Sequence, residues 1–273
     1  MQDFSVSLKE MIGCLWHNRN LITALVKREV VGRYRGSIIG IAWSFFNPLL
    51  MLVVYTFVFS VVFKARWGMG GDESKTDFAI ILFVGLIVHG LFAECVNRAP
   101  NLILSNVNYV KKVIFPLEIL PCVVLGSALF HTFISLIILL LAHLVFSQQM
   151  PWTVVLFPFI LLPLSLATMG FAWFLAALGV YVRDIGQITG IFTTVLLFVS
   201  AVFYPISALP AKYQFWLKLN PLVIVIEQAR KTLIYGQLPD FKQWGIIFLM
   251  GVLVAWAGFA WFQKTRKGFA DVL

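Results

Sequence analysis

Long stretches with few charged residues recur along the chain, and they constrain its fold more than any other feature. A helix that spans a bilayer needs about 20 consecutive, mostly apolar residues. Six stretches meet or approach this length: 37–63, 79–96, 119–146, 152–182, 185–204 and 244–262. The sequence therefore predicts an all-α polytopic membrane protein with six transmembrane helices.

The composition supports a membrane location for the 273-residue chain. Hydrophobic residues make up 60% of it and charged residues 12%, whereas soluble proteins are about half apolar and a quarter charged. These values exclude a soluble globular enzyme, a disordered tail and a disulfide-stapled secreted module. The net charge of +9 is typical of loops that face anionic lipid headgroups. No nucleic-acid-binding motif accompanies the charge, so a nucleic-acid partner is not expected.

Residues 1–36 are predicted to form a cytoplasmic amphipathic interface segment, and residues 37–273 the transmembrane domain. Basic residues are spread through the first segment, which lacks the apolar core of a signal peptide. Apolar residues recur there at helical spacing, at Leu8, Met11, Ile12, Leu15 and Trp16. A helix of this kind tends to lie in the plane of the membrane surface. A solvated helix packed on a partner is the alternative, and both can hold.

Lys and Arg residues in the loops set the expected orientation. The segment before Ser37 is strongly basic, and basic segments close to the first span tend to stay in the cytoplasm. If both termini are cytoplasmic, the inner segments carry more Lys and Arg residues than the outer ones, although the outer segment 205–243 is itself basic. The sequence thus predicts a multi-pass protein with both termini in the cytoplasm.

The segment 205–243 is too long for a tight turn and too interrupted for a span. Two short helices are predicted within it, at 211–219 and 222–233. Asn220 and Pro221 between them are typical of a helix N-cap followed by proline at the first helical position. We expect a re-entrant outer helical hairpin between spans five and six. It can act as a lid over a pore, or it can be a plain interfacial loop.

Several kinds of chemistry are not expected from this sequence. It contains none of the zinc-protease, paired-cysteine or serine-hydrolase motifs, and the segment 70–76 only approaches a phosphate-binding loop. The chain is therefore not expected to hydrolyse nucleotide by itself. Acidic residues are absent from the middle of the predicted spans, which disfavours ion-coupled transport. His89 and His131 are expected to make hydrogen bonds between helices.

Aromatic residues form two helical faces on the first predicted span. Trp43, Phe46 and Phe57 share one face. The other face carries Phe45, Tyr55, Phe59 and Phe63. One face can pack against other helices while the second lines a passage. Aromatic rings can pack on sugar rings without a fixed register, although core packing is the alternative for each ring.

Several motifs, in the same order along the chain, resemble the membrane subunit of ABC transporters that export polysaccharides. They lie at 33–44, 47–50, 109–121, 179–185, 202–205, 219–221 and 227–230. The similarity covers essentially the whole chain and is closest to the O-antigen exporters.

The resemblance implies a transporter subunit rather than an enzyme. The expected assembly is a homodimer bound to two copies of a separate ATPase, which holds ATP and Mg²⁺, and this chain is expected to carry no cofactor. The implied substrate is O-antigen polysaccharide linked to undecaprenyl pyrophosphate, moved from the cytoplasmic to the periplasmic face of a bacterial inner membrane. Alternatives are a permease for teichoic acid or capsular polymer, one for a lipid or drug, and a membrane enzyme that acts on lipid-linked sugars.

Two groups of candidate residues concern the substrate. The channel group consists of Trp43, Phe46, Tyr55 and Phe59. The second group is expected at the level of the inner lipid headgroups, where guanidinium groups are suited to bind a lipid pyrophosphate. The alternative role for these residues is ordinary contact with headgroups. The members of this group are Arg28, Arg33, Tyr34 and Arg35.

Two further groups concern movement. A coupling loop at 97–118 is expected to dock on the ATPase. Its candidate residues are Asn108, Tyr109, Lys111, Lys112, Phe115 and Pro116. The hairpin 205–243 is expected to be the periplasmic gate. Its candidate residues are Tyr204, Pro205, Trp216, Asn220 and Pro221.

Overall fold

The structure is a computed structural model that describes residues 6–62, 75–111, 115–147 and 150–273. The described residues form helices and the turns that connect them. In chain order the α-helices are α1 (Leu8–His17), α2 (Arg19–Arg33), α3 (Trp43–Tyr55), α4 (Lys75–Arg98), α5 (Val107–Lys111), α6 (Leu120–Ser147), α7 (Phe157–Tyr181), α8 (Ile185–Val199), α9 (Ala211–Lys218), α10 (Pro221–Leu233), α11 (Phe241–Thr265) and α12 (Phe269–Val272).

Five described helical stretches are long and apolar enough to cross a membrane. They are Gly40–Phe59, Phe78–Asn101, Leu117–Phe146, Trp152–Tyr181 and Phe241–Val272. They correspond to the first four predicted spans and to the sixth. The all-helical membrane fold predicted from the sequence is therefore confirmed, and the second and sixth spans are longer than expected.

The predicted fifth span at 185–204 is not confirmed as a spanning helix. The helix α8 has 15 residues, so it is about 22 Å long, whereas the apolar core of a bilayer is about 30 Å thick. It ends where Ala201 adopts a positive φ of 53°, which a right-handed helix does not tolerate. The Asn220 side chain holds this turn by donating to Ser200 Oγ at 3.0 Å.

The helix α4 is the centre of the fold, while α3 lies at its edge. In the most apolar 18 residues of each stretch, 78% are buried in Phe78–Asn101 but only 11% in Gly40–Phe59. The helix α4 packs against α6, α7, α8 and α10. On α3, only Ser44 and Leu52 are buried.

Close backbone contact joins α7 to α11. Gly170 and Gly258 face each other, and a side chain at either would collide with the backbone of the other helix. The absence of side chains lets the two helices approach along their length, as small residues do in membrane proteins. Next to this contact, Trp173 and Phe259 pack edge to face with ring centroids 5.3 Å apart. The pair α7–α11 is therefore a tightly packed unit.

The first span is irregular along its length. Pro48 lies inside α3 and removes one backbone donor from the helix. After Tyr55 the helix continues in wider π-type turns over Thr56–Val62. Such turns are rare and often occur at functional sites. The last predicted residue of this span, Phe63, lies outside the described residues.

The N-terminal segment forms two helices, α1 and α2. Ser7 caps α1 by accepting a hydrogen bond from the Glu10 backbone N–H at 3.1 Å. On α1, Met11 is buried, whereas Ile12 and Trp16 are exposed. An apolar face thus remains uncovered, as expected for a helix at a membrane surface. Its position in the membrane interface stays a prediction.

Candidate functional site

A cavity of about 380 Å³ lies between α3, α4 and α6, next to the end of α2. Its lining combines polar side chains with an apolar wall. The polar residues are Arg33, Tyr34, Ser44, Asn47, Tyr55, Glu94, His131 and Ser135. The apolar wall consists of Pro48, Met51, Phe83, Leu86, Ile87 and Gly90. Cavities of this size and mixed character are typical of small-ligand sites.

Glu94 is the centre of a charged cluster on this cavity. Arg33 Nη1 donates to Glu94 Oε1 at 2.5 Å, and His131 Nδ1 lies 3.0 Å from Glu94 Oε2. Arg98 approaches the same carboxylate at 3.5 Å. Glu94 and His131 are both largely buried. Ionisable groups buried inside a membrane domain are costly and usually functional.

Tyr34, at the C-terminal end of α2, extends this cluster. Its hydroxyl lies 3.3 Å from His131 Nε2. Burial raises the pKa of the Tyr34 phenol above its usual value, and the nearby Arg33 opposes the shift. Because the phenol stays protonated, it can both donate and accept hydrogen bonds.

A second cavity, of about 530 Å³, adjoins the first and shares Arg33 with it. Its lining residues are Arg28, Glu29, Gly32, Arg33 and Arg98. We call it the basic groove, because it contains three arginines and one carboxylate. Arg98 forms an ion pair with Glu29. The structure thus brings together Arg28 and Arg33 of the predicted headgroup residues and adds Arg98, whereas Arg35 is exposed and lines neither cavity.

The four predicted channel residues lie on two different faces of the first span. Tyr55 lines the cavity. Phe59 packs inward, with its ring centroid 5.7 Å from that of Phe203. Trp43 and Phe46 are exposed on the opposite face. The structure therefore does not bring the four rings together within one subunit, and their role in a channel stays a prediction.

Two aromatic rings organise the predicted coupling loop. Tyr109 and Phe115 stack with their centroids 4.3 Å apart, and Arg28 donates to the Tyr109 hydroxyl at 3.0 Å. Lys111 donates to the Leu273 carbonyl. Asn108 and Lys111 are exposed and Pro116 is half-buried, while Lys112 lies outside the described residues.

Glu118 joins this loop to distant parts of the chain. Arg266, which follows α11, donates to Glu118 Oε2 at 2.6 Å and to the Phe115 carbonyl at 3.1 Å. The Cys14 thiol of α1 lies 3.4 Å from Glu118 Oε1, and Trp173 of α7 donates to the Glu118 carbonyl at 2.8 Å. We call these contacts the Glu118 junction. Burial and the nearby Glu118 carboxylate raise the pKa of the Cys14 thiol to about 12.

The helices of the predicted gate are held by a buried arginine. Arg230 of α10 is 1% exposed and donates to the carbonyls of Ile81, Ala201 and Val202 at 3.0–3.3 Å. It also pairs with Glu227 at 2.7 Å. No sequence pattern predicted that Arg230 would be buried.

The predicted gate residues have separate local roles. Asn220 caps α10 by accepting from the Leu222 backbone N–H at 3.0 Å, with Pro221 at the first helical position, as predicted. Tyr204 donates to the Phe198 carbonyl at 2.8 Å. Pro205 precedes a helical turn, and Trp216 is exposed. A gating role for these residues stays a prediction.

The other predicted histidine contact is present. His89 Nε2 lies 2.9 Å from the Thr193 carbonyl of α8, so His89 links two helices as expected. Within the described part of the chain, no group of three or more His, Cys, Asp or Glu side chains is arranged to hold a metal ion.

Five membrane-spanning helices, with charged clusters buried among them, define a polytopic helical membrane protein. Its family is the ABC-2 type transporter family, to which the chain belongs, because the family model matches residues 20–234. This membership confirms the resemblance that the sequence motifs indicate.

Three relatives illustrate the similarity. An O-antigen export system permease protein, RfbA of Myxococcus xanthus, is 30% identical over 259 residues, which cover 94% of this chain and 96% of the relative. RfbA of Klebsiella pneumoniae is 23% identical over 271 residues, covering 98% and 100%. The polysialic acid transport protein KpsM of Escherichia coli is 22% identical over 253 residues, covering 90% and 93%.

Proposed function

We propose that this chain is the permease subunit of an ATP-driven exporter. It moves O-antigen polysaccharide on undecaprenyl pyrophosphate from the cytoplasmic to the periplasmic face of a bacterial inner membrane. The observation that carries the proposal is the similarity to O-antigen export permeases, which extends over at least 94% of the chain. Capsular polymer is the second candidate substrate, because polysialic acid transport proteins are also similar over most of the chain.

The motor is proposed to be a separate ATPase that docks on the coupling loop. Exposed Asn108 and Lys111 supply polar groups for docking. Behind them, the Tyr109–Phe115 stack and the Glu118 junction give a rigid support. A rigid element whose position is biased by ATP binding is what such coupling requires.

The working unit is proposed to be a homodimer. One subunit with five long helices is too small to enclose a channel for a polymer, and a two-fold dimer is the commonest symmetric assembly among soluble homo-oligomers. The exposed apolar surface of the first span and of α8 supports this, because it includes Trp43, Phe46, Phe57, Ile191 and Phe198. In the dimer these side chains face the partner or the polymer.

We propose six crossings with both termini in the cytoplasm. Cys14 and Arg266 both contact Glu118, which supports an arrangement with the two ends of the chain on one side. An even number of crossings is then needed, and α8 with the following residues 200–204 supplies the additional one. The hairpin 205–243 is then the periplasmic gate.

The basic groove is the proposed site of the lipid pyrophosphate. Arg28, Arg33 and Arg98 outnumber the two carboxylates that pair with them, Glu29 and Glu94. Guanidinium groups bind phosphate in a bidentate manner and are the side chains best suited to this role.

Deletion of this chain in its own host tests the proposal. We expect the lipid-linked O-antigen to accumulate inside the cell while its synthesis continues. Trapped capsular polymer with normal O-antigen would favour the capsule exporter. Normal surface polysaccharide of both kinds, in a strain without a redundant exporter, would contradict the proposal, and loss of the glycan without an internal pool would indicate an enzyme.

A further inference from the structure

The cavity and the basic groove differ in their charge. The groove has one arginine more than the carboxylates that pair with its side chains, because Arg33 and Arg98 pair with Glu94 and Arg98 also pairs with Glu29, while Arg28 adds a third guanidinium group. In the cavity, the charge of Arg33 is offset by Glu94, with which it forms an ion pair at 2.5 Å. The cavity is therefore close to neutral but rich in polar groups, so it is poorly suited to an isolated anion.

From this difference we propose that the cavity binds the sugar residue next to the pyrophosphate of the lipid-linked substrate. The inference rests on the proposed function and extends it, because it assigns to Glu94, His131 and Tyr34 a recognition role for sugar hydroxyls. Arg33, which lines both cavities, lies at the point where sugar and pyrophosphate are joined.

The chemistry of the lining fits a polyhydroxyl ligand. A sugar hydroxyl both donates and accepts hydrogen bonds, so its site needs groups of both kinds. Glu94 accepts, and a carboxylate offers about four acceptor positions, of which Arg33, Arg98 and His131 occupy three. The Tyr34 hydroxyl and the Asn47 amide can donate and accept. The Tyr55 ring adds an apolar surface on which a sugar ring can pack.

The size of the cavity limits what it holds. A volume of about 380 Å³ is near the lower end of the usual range for small-molecule sites. The cavity therefore suits the first sugar of the substrate rather than a length of polymer. It acts as a recognition site for the end of the substrate that carries the lipid.

Gly90 offers a way to fill the cavity without disturbing its polar groups. It lines the cavity, and a Cβ atom there would have no heavy atom within 4 Å. The variant Gly90→Leu therefore places an apolar side chain in the cavity, and leucine favours a helix more than glycine does. Gly245→Leu in α11 is the matched control, because Gly245 is also a helical glycine with open space but does not line the cavity.

Binding to the purified protein in lipid nanodiscs is the test, with two probes: undecaprenyl pyrophosphate, and undecaprenyl pyrophosphate that carries one N-acetylglucosamine. The wild type and Gly245→Leu are expected to bind the sugar-bearing probe about tenfold more tightly, as one or two added hydrogen bonds allow. Gly90→Leu is expected to lose this preference and to keep its affinity for the probe without sugar. If the leucine variant does not accumulate, Gly90→Ala and Gly245→Ala repeat the comparison with a smaller expected effect.

The other outcomes overturn the inference. If Gly90→Leu keeps the preference, or if the wild type has none, the sugar is recognised elsewhere. If Gly90→Leu binds both probes more weakly by the same factor, the cavity holds the pyrophosphate or the prenyl chain. These results leave the exporter assignment intact, which fails separately if deletion of the chain does not trap glycan.

Discussion

Buried charged residues connect parts of this chain that are far apart in the sequence. Arg266 and Glu118 are separated by 148 positions, and their side chains are only 15% and 11% exposed. Removing two charges from water costs free energy, which is recovered only when the pair has good geometry and further hydrogen bonds. The Glu118 junction meets this condition, because Arg266 also donates to the Phe115 carbonyl.

Glu118→Ala is expected to destabilise the protein strongly. It leaves Arg266 buried without its carboxylate, and breaking one side of a buried ion pair typically costs roughly 3–5 kcal/mol. Thermal unfolding of the purified protein measures the effect. Glu10→Ala on the exposed surface of α1 is the control and should change little. A double variant, Glu118→Gln with Arg266→Gln, should recover part of the loss; a larger loss would show that the pair is not an independent unit.

Cys14 is expected to react slowly with alkylating reagents at neutral pH. Only the thiolate reacts, and with a pKa of about 12 the thiol stays protonated. The rate should rise with pH throughout the range 7–10, by about tenfold per pH unit. Iodoacetamide labelling followed by peptide mass spectrometry measures it. A cysteine at exposed Glu10 should instead level off near the usual thiol pKa, and the same plateau at Cys14 would contradict the prediction.

Sequence patterns predicted the local contacts and predicted that His89 and His131 bond to other helices, but they did not identify the partners. The Asn220–Pro221 cap was predictable, because its atoms are two residues apart in the chain. The pairing of Glu94 with His131 was not predictable, because the two residues belong to different helices. The residue pattern of one helix does not show how the other helix is rotated about its own axis. The same reason explains why Arg98, Glu118 and Arg230 were not among the predicted site residues.

At the scale of elements, the helix α10 depends on Arg230 for its position. The guanidinium group reaches backbone carbonyls of α4 and of the turn after α8. Arg230 therefore attaches α10 to the central helix α4 and to the turn after α8, in addition to apolar packing.

Arg230→Lys is expected to loosen this attachment although it keeps the charge. Lysine has one compact ammonium group and cannot reproduce the planar fork of arginine. Loss of hydrogen bonds to a charged group typically costs roughly 1.5–3 kcal/mol, and hydrogen exchange in α10 should increase. Lys218→Ala on exposed α9 is the control. Unchanged exchange in Arg230→Lys would show that apolar packing alone holds α10.

Element boundaries show what hydropathy can and cannot predict. Five spanning helices were predictable, because each has enough apolar residues to cross the bilayer. The end of α8 was not, because it depends on the backbone of Ala201 and on a hydrogen bond from Asn220, which is 20 residues away from Ser200. An apolar run therefore predicts that a segment lies in the membrane, and long-range contacts decide where its helix ends.

For the whole molecule, the arrangement of the termini leads to a direct test. If the chain crosses the membrane six times, cysteines at Glu10 and at exposed Ala270 should both be labelled from the cytoplasmic side by an impermeant maleimide. A cysteine at exposed Gln237, between α10 and α11, should be labelled from the periplasmic side. Labelling of the Glu10 and Ala270 positions from opposite sides would show an odd number of crossings.

The weak packing of α3 has a genetic consequence. Substitutions at buried positions of α4 should yield misfolded chains that cellular proteases remove, and a normal gene copy would compensate for their loss. Substitutions on the exposed surface of α3 should leave a folded, abundant subunit. In the proposed homodimer, equal amounts of variant and wild-type subunits would place the α3 variant beside a wild-type partner in half of the complexes. Alleles that change α3 are therefore expected to be dominant, and alleles that change α4 recessive.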